Sequence, residues 1–156
     1  MFEPSETIKE YLFEKYSEVL KLKTCAIHVR RGDYLKLQDA HIVQDLNYYN
    51  LAMQQIGDVD KYLVFSDDIQ WCKDNFIGEK FMFVEEDKDY NELFLMSMCS
   101  HNIIANSSFS WWGAWLNKNP NKIVVGPLKW YNENFNMLND MPINSDDILS
   151  DSWIKI

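Results

Sequence analysis

Short apolar runs alternate along the chain with longer stretches in which apolar residues recur at helical spacing. In residues 5–22, for example, Ile8, Leu12, Tyr16 and Val19 lie three or four positions apart, with Glu and Lys between them. This spacing is typical of an amphipathic helix, whereas short uninterrupted apolar runs are typical of buried strands. The pattern predicts helices over residues 5–22, 46–56, 68–76, 89–100 and 109–117, and strands over residues 24–29, 61–65, 81–84, 101–105 and 122–125.

Residues at the boundaries of these segments support the prediction. Gly57 directly follows the second helix, where a glycine readily ends a helix. Ser66 or Asp67 would cap the third helix. Asp89 and Glu92 have the spacing of a capping box before the fourth helix, with Asp89 as the cap and Glu92 at the third helical position.

Strands that alternate with helices of about ten residues predict βαβ units, with parallel strands and right-handed crossovers. We therefore expect one α/β domain over residues 1–156, built as a Rossmann-like parallel sheet flanked by helices. The domain would begin with a helical segment at residues 1–22 and end with a loop-rich tail at 126–156. Within that tail, only short pieces of regular structure are expected, near Trp130 and Trp153.

Composition narrows the classes of protein that fit. The formal net charge of −9 argues against a nucleic-acid partner, which would require a broad basic surface. No apolar run is long enough to span a membrane, and the N-terminus does not have the pattern of a signal peptide. The three cysteines contain no Cys-x-x-Cys pair and are predicted to be reduced thiols in the core: Cys25, Cys72 and Cys99. The three histidines lack the spacing of metal ligands, so no metal site is predicted: His28, His41 and His101.

The densest group of functional residue types is the sequence His28-Val29-Arg30-Arg31-Gly32-Asp33-Tyr34, directly after the first strand. Arginine offers a planar fork of donors that matches phosphate oxygens, and ligands of open α/β sheets bind at the carboxyl ends of strands. A surface turn whose arginines pair with acidic residues is the alternative. The histidine before and the aspartate after the arginines favour a site for a small phosphate-bearing molecule, with Asp33 holding a guanidinium.

Two further polar clusters also follow strands. Ser66-Asp67-Asp68 follows the second strand, although a helix cap would explain it equally well. Asn106-Ser107-Ser108-Phe109 follows the fourth strand and begins a helix, so its backbone N–H groups and helix dipole suit an anion. The alternative is a cap in front of a tryptophan-rich core helix. Because the chain has no glycine-rich phosphate loop, side chains and a helix N-terminus would have to hold the phosphate.

Taken in order, these motifs resemble those of the α-1,2-fucosyltransferases. His-x-Arg-Arg-x-Asp is followed by Ser-Asp-Asp and then by Ile-Ile-Ala-Asn-Ser-Ser-Phe-Ser-Trp-Trp-Gly-Ala-Trp-Leu. More broadly, the chain resembles the GDP-fucose-using superfamily, which includes the α-1,6 and protein O-fucosyltransferases. The resemblance covers residues 23–156 and implies the C-terminal, donor-binding half of a GT-B architecture. It also implies an inverting transfer of L-fucose that needs no metal or other cofactor.

The resemblance assigns roles to individual residues. Arg30 falls where the family's arginine meets the β-phosphate, with Arg31 beside it, and Asp33 is the closing acid of the motif. Ser107 and Ser108 fall where hydroxyls and amides hold the pyrophosphate, with Asn106 and Phe109 beside them. His28, Asp67 and Asp68 would lie by the nucleotide with Ser66, and Glu92 stands where the family has an aspartate that pairs with guanine.

Family members are nearly twice as long as this chain, and their additional N-terminal half helps to bind the acceptor. Two functions therefore stay open: a fucosyltransferase acting from GDP-fucose on a glycan, expected to be α-1,2 to galactose, and a GDP or GDP-fucose-binding module without catalysis. A purely structural α/β domain would need three motifs to align by chance.

The general base that accepts the proton of the acceptor hydroxyl has three candidates: Asp33, Asp39 and His41. A bacterial-type enzyme would be cytoplasmic or peripheral to the membrane, and a half-length chain could self-associate.

Overall fold

In the computed structural model, the described residues are 3–85, 87–132 and 147–156. They form six strands and five α-helices in the alternating order that the sequence predicts. The strands are β1 (Thr24–Val29), β2 (Lys61–Ser66), β3 (Phe81–Phe83), β4 (His101–Ile103), β5 (Val124–Gly126) and β6 (Ile154–Lys155). The helices are α1 (Glu6–Leu20), α2 (Leu46–Ile56), α3 (Ile69–Asn75), α4 (Asp89–Met98) and α5 (Ser108–Leu116), and a short 3-10 helix covers Tyr34–Lys36.

All six strands run parallel in one sheet, in the order β3-β2-β1-β4-β5-β6. This is the strand order of Rossmann-like doubly wound folds, so the predicted fold class is confirmed. The chain first builds outward from β1 to β3 and then crosses back to place β4 on the other side of β1. The order therefore reverses between β1 and β4, which is where such sheets open a crevice for a ligand.

The two faces of the sheet bury different helices because successive strand residues point to opposite sides. Cys25, Ile27 and Val29 of β1 pack with α2 and α3. Ala26, from the same strand, packs on the opposite face with α1 and α4. Cys25, Cys72 and Cys99 are buried and free, as predicted.

The end of the sequence joins the far edge of the sheet. Ile156 donates its N–H to the carbonyl of Gly126, and its carbonyl accepts from the N–H of Leu128. Trp130 and Trp153 are buried against α5, which accounts for the short ordered pieces predicted near them. Most of the predicted loop-rich tail, residues 133–146, lies outside the described residues.

Helix starts differ from the prediction in two places. Asp68, rather than Ser66 or Asp67, caps α3 by accepting from the N–H of Trp71. Ser66 instead accepts from the N–H of Asp68. The predicted capping box is also wrong, since Lys88 is the N-cap of α4 and Asp89 is the first helical residue.

The other helix ends follow the sequence. Ser5 caps α1 by accepting from the N–H of Ile8, and Asp45 caps α2 in the same way. Gly57 ends α2 with a φ of 79°, a conformation that favours glycine. Among the described residues, no helix combines the length and the apolar character needed to cross a membrane.

Candidate functional site

The three polar clusters meet at one edge of the sheet because each follows the carboxyl end of a parallel strand. They extend from the ends of β1, β2 and β4, so they surround the crevice at the point where the strand order reverses. A cleft of about 230 Å³ opens there. Its walls combine side chains of both charges with one aromatic ring: His28, Arg30, Ser66, Asp67, Asp89, Glu92 and Phe109.

Two carboxylates hold the guanidinium of Arg30. Its Nη2 lies 2.9 Å from each carboxylate oxygen of Asp33, and its Nε lies 3.3 Å from Oδ2 of Asp67. Burial alone would lower the pKa of Arg30, but its bond to Asp33 and the charge of Asp67 outweigh burial and raise that pKa. The cleft therefore contains a permanent positive charge in a fixed orientation.

Asp67 can reach Arg30 because the residue next to the arginine pair is a glycine. A Cβ at Gly32 would lie 2.7 Å from Oδ2 of Asp67, closer than real side chains approach. Oδ1 of Asp67 accepts from the backbone N–H of Arg31 at 2.9 Å. Asp67 thus connects the ends of β1 and β2 and orients Arg30 at the same time.

Arg31 points away from the cleft. Its Nε lies 3.3 Å from Oδ2 of Asp68, and its guanidinium carbon lies 4.2 Å from the centre of the Trp71 ring. Its side chain is 17% exposed, against 34% for Arg30. The two predicted arginines therefore occupy different environments, and only Arg30 lines the cleft.

His28 contributes a neutral ring. The side chain is buried, its ring centre lies 5.5 Å from that of Phe109, and its Nδ1 has no hydrogen-bond partner among the described residues. Burial lowers the pKa of His28 to about 4, although the charge of Asp67 opposes this shift. An unpartnered buried nitrogen in the wall of a cleft is costly, and a hydrogen bond from a ligand would satisfy it.

Glu92 faces the same cleft from α4. Burial, followed by the charges of Asp89 and Asp87, raises the pKa of Glu92 to about 7. Near neutral pH this side chain can either donate or accept a proton, which is a property expected at functional sites.

The serine cluster forms the start of α5. Ser107 is the buried N-cap, its hydroxyl makes no capping hydrogen bond, and Ser108 is the exposed first helical residue. Neither serine lines the cleft itself, but Phe109, one residue further on, does. The start of α5 is therefore adjacent to the cleft, where its N–H groups and dipole favour an anion.

Asn106 supports the surrounding loops. It is 1% exposed, its Nδ2 donates to the carbonyl of Trp130, and its Oδ1 accepts from Gln44. Its backbone carbonyl accepts from the Tyr34 hydroxyl at 3.0 Å. Asn106 therefore connects the loop after β1 to the start of α5.

The sequence did not point to Asp89, Trp71 or Gly32 as parts of this region. Asp89 was explained by the capping box, and its place in the cleft wall follows from the different start of α4. Trp71 occurs three residues after the Ser-Asp-Asp cluster, and its helical position gave no sign that it contacts Arg31. The sequence did contain one signal for Gly32: a glycine between an arginine pair and an aspartate can indicate that another group approaches the backbone closely, as Asp67 does here.

An α/β domain with an oriented arginine, a helix start and an unpartnered histidine at its topological switch point has the layout of a nucleotide-binding domain. The sequence model for glycosyl transferase family 11 matches residues 8–156, and the chain belongs to this family.

Curated relatives agree with this membership. The chain is 39% identical over 143 residues to the O-antigen biosynthesis glycosyltransferase WbnK of Escherichia coli. The aligned region covers 85% of this chain and 44% of that protein. It is 32% identical to an Escherichia coli alpha-1,2-colitosyltransferase, over 92% of this chain and 51% of that protein. It is 29% identical to the human galactoside alpha-(1,2)-fucosyltransferase 1, over 58% of this chain and 28% of that protein. The chain thus spans about half the length of the two bacterial relatives.

Proposed function

We propose that this chain binds GDP-fucose and carries the donor-side machinery for transferring L-fucose to a glycan hydroxyl, with α-1,2 transfer to galactose as the reaction. The observation that carries the proposal is the guanidinium of Arg30, held by Asp33 and Asp67 inside the cleft at the strand-order reversal. Membership of glycosyl transferase family 11 supports the reaction class.

Arg30 would stabilise the leaving group. When the bond between fucose and GDP breaks, negative charge develops on the β-phosphate while the sugar gains oxocarbenium character. Arg30 and the N–H groups at the start of α5 would bind that charge, together with the helix dipole. In this proposal an arginine does the work that a divalent cation does elsewhere, so transfer is metal-independent. The acceptor hydroxyl displaces GDP in a single step and gives up its proton to a general base, so the sugar centre is inverted.

His28 and Glu92, which also line the cleft, would bind the nucleotide base. The carboxylate of Glu92 can accept hydrogen bonds from N1 and N2 of guanine, which adenine and uracil do not offer in that arrangement. The neutral ring of His28 supplies a further hydrogen bond through Nδ1, with Phe109 beside it. These two residues therefore provide the base selectivity, and Arg30 provides the affinity for the diphosphate.

The donor sugar has a second candidate. The relative that matches over 92% of this chain is an alpha-1,2-colitosyltransferase, and colitose is fucose without its 3-hydroxyl group. Because the two sugars share their remaining stereochemistry, one nucleotide site could accept either donor. Comparison of GDP-fucose with GDP-colitose decides between them.

A binding module without catalysis is the alternative to a complete enzyme. The chain spans 44% and 51% of the two bacterial relatives, and acceptor contacts in a two-domain transferase would come partly from another domain. The general base also remains a choice among Asp33, Asp39 and His41. Asp33 pairs with Arg30, which lines the cleft, and His41 stacks on Tyr34, whose ring centre lies 5.4 Å from the guanidinium carbon of Arg30.

Calorimetric titration with GDP-fucose, GDP, ADP and UDP, with and without a chelator, tests the donor site. Selective, chelator-insensitive binding of the two guanine nucleotides supports the proposal, and equal binding of all three nucleoside diphosphates contradicts it. Product formation from GDP-fucose and a galactoside then separates the transferase from the binding module.

A further inference from the structure

A second carboxylate network lies just outside the cleft, around Asp87. Its side chain is 2% exposed and sits two residues before α4 begins. Five donors surround the carboxylate, and three of them come from α1. They are the hydroxyls of Tyr11 and Tyr16, Nζ of Lys15, Nδ2 of Asn91 and the backbone N–H of Lys88, at 2.7–3.3 Å.

These contacts keep Asp87 ionised. Burial by itself would raise the pKa of Asp87, but the hydrogen bonds from Asn91, Lys15 and Tyr16 outweigh burial and lower it. In turn, burial and the bond to Asp87 raise the pKa of Tyr16 to about 12, so the tyrosine remains a donor. The network is therefore a charged, fully bonded connection between α1 and the residues leading into α4, and such networks fix geometry.

The segment that this network holds is also the segment that presents carboxylates to the cleft. Lys88 is the N-cap of α4 and Asn91 lies in its first turn, and both bond to Asp87. Asp89 and Glu92, in the same turn, line the cleft. A shift of this turn would move Glu92 relative to His28 and Phe109 while leaving Arg30, which directly follows β1, in place.

We propose that Asp87, held by Tyr16 and Lys15 of α1, is the positioning residue for Glu92 and sets how well the cleft distinguishes guanine from other bases. The proposal rests on the proposed function, since it gives Glu92 a nucleobase to recognise. It assigns α1, which contains none of the three polar clusters, a role in selectivity.

A purely structural role would have a different signature. If the network only attached α1 to the domain, weakening it would lower stability and reduce the affinity for every ligand alike. A positioning role instead reduces the part of the affinity that depends on the base and preserves the part that depends on the diphosphate. Inorganic pyrophosphate, which has no base, measures the second part directly.

The experiment compares D87N and Y16F with wild type and with K118M, a control that removes the exposed Lys118–Glu3 pair beside α1. For D87N we expect GDP affinity to fall about tenfold and pyrophosphate affinity to change less than about twofold, because only base contacts are displaced. Y16F keeps the charge of Asp87 and removes one donor, so we expect a loss of about threefold for GDP alone. K118M should match wild type for both ligands.

Equal losses for GDP and pyrophosphate, or no loss for either in folded D87N and Y16F, overturn the proposal. If D87N does not fold, Y16F decides the question by the same comparison. Failure of the proposed function looks different, because wild-type protein would then bind ADP as tightly as GDP before any substitution is made.

Discussion

Arg30 and Arg31 are chemically identical neighbours, yet the fold uses them for different purposes. Arg30 continues the side of β1 that carries Ala26 and His28 and enters the cleft. Arg31 continues the side that carries Ile27 and Val29, and it stacks on Trp71 of α3. The two-residue alternation of a strand persists past its last paired residue, so the arginine pair at this strand end supplies one group that faces the cleft and one that packs against a helix.

Substitution of Arg30 should have the largest effect on ligand binding and turnover. For R30A we expect turnover to fall by about 10²–10³-fold or more, because a donor aimed at the developing phosphate charge is lost. GDP affinity should weaken as well. R30K should recover little, since an ammonium group cannot reproduce the planar fork. Calorimetry and a radiolabelled transfer assay measure the two quantities, and unchanged GDP affinity in R30A would remove Arg30 from the site.

Substitution of Arg31 should show the opposite pattern. R31M removes the Asp68 ion pair and the contact with Trp71, and we expect the free energy of unfolding to fall by roughly 2 kcal/mol. GDP affinity of the folded protein should stay close to that of wild type. Urea unfolding followed by titration gives both values, with K21M, which breaks the exposed Lys21–Glu18 pair, as the control. A large loss of GDP affinity with an unchanged free energy of unfolding would contradict this assignment and indicate that Arg31 contacts the ligand.

Titration of Glu92 offers a contrast with the permanent charge of Arg30. The pKa of Glu92 in the free protein is raised to about 7, and the proposed pairing with guanine requires the carboxylate form. Bound guanine therefore favours loss of the proton, and affinity for GDP should weaken as pH falls below about 7, by roughly tenfold for each further unit. Pyrophosphate binding, which depends on Arg30, should lack this component.

The E92Q variant checks this assignment. Its GDP affinity should be lower at neutral pH and should lose the dependence on pH around 7, because glutamine does not titrate. A pH dependence that persists unchanged in E92Q would place the titrating group elsewhere.

A smaller effect than that of Arg30 is expected at Gly32, which separates the arginines from Asp33. In G32A the new methyl group would displace the Asp67 carboxylate, so Arg30 loses the partner of its Nε. We expect diphosphate affinity to fall by about fivefold, since the guanidinium remains but is less well oriented. D67N serves as the comparison because it weakens the same contact without a steric change. Wild-type affinity in G32A would show that Asp67 does not orient Arg30.

Much of this organisation follows from local sequence patterns. The spacing of apolar residues identified five of the six strands and all five α-helices, because periodicity depends on which face is buried. The position of Arg30 and Asp67 near one another also followed, since parallel strands bring their carboxyl ends to one edge, whereas the place of Glu92 beside them was implied only by the resemblance to the fucosyltransferases. The alternation along β1 could have separated Arg31 from Arg30 as well.

Other features depended on packing between distant segments. Ser66, Asp67 and Asp68 are all good capping residues, and the contact between Asp67 and the N–H of Arg31 decides which of them caps α3. The network around Asp87 joins Tyr16 to a residue 71 positions away. No local pattern specifies a contact of that separation, because it arises only when α1 packs against α4.

The central position of β1 has a consequence for synthesis of the protein on the ribosome. β1 pairs with β2 soon after both emerge, but its other neighbour is β4, whose first residue is His101. During translation β1 therefore waits with one open edge until most of the chain has been made, and open edges promote aggregation. The cleft cannot form before that pairing, so nucleotide binding by stalled nascent chains would report the moment at which β4 joins the sheet and the start of α5 reaches the cleft.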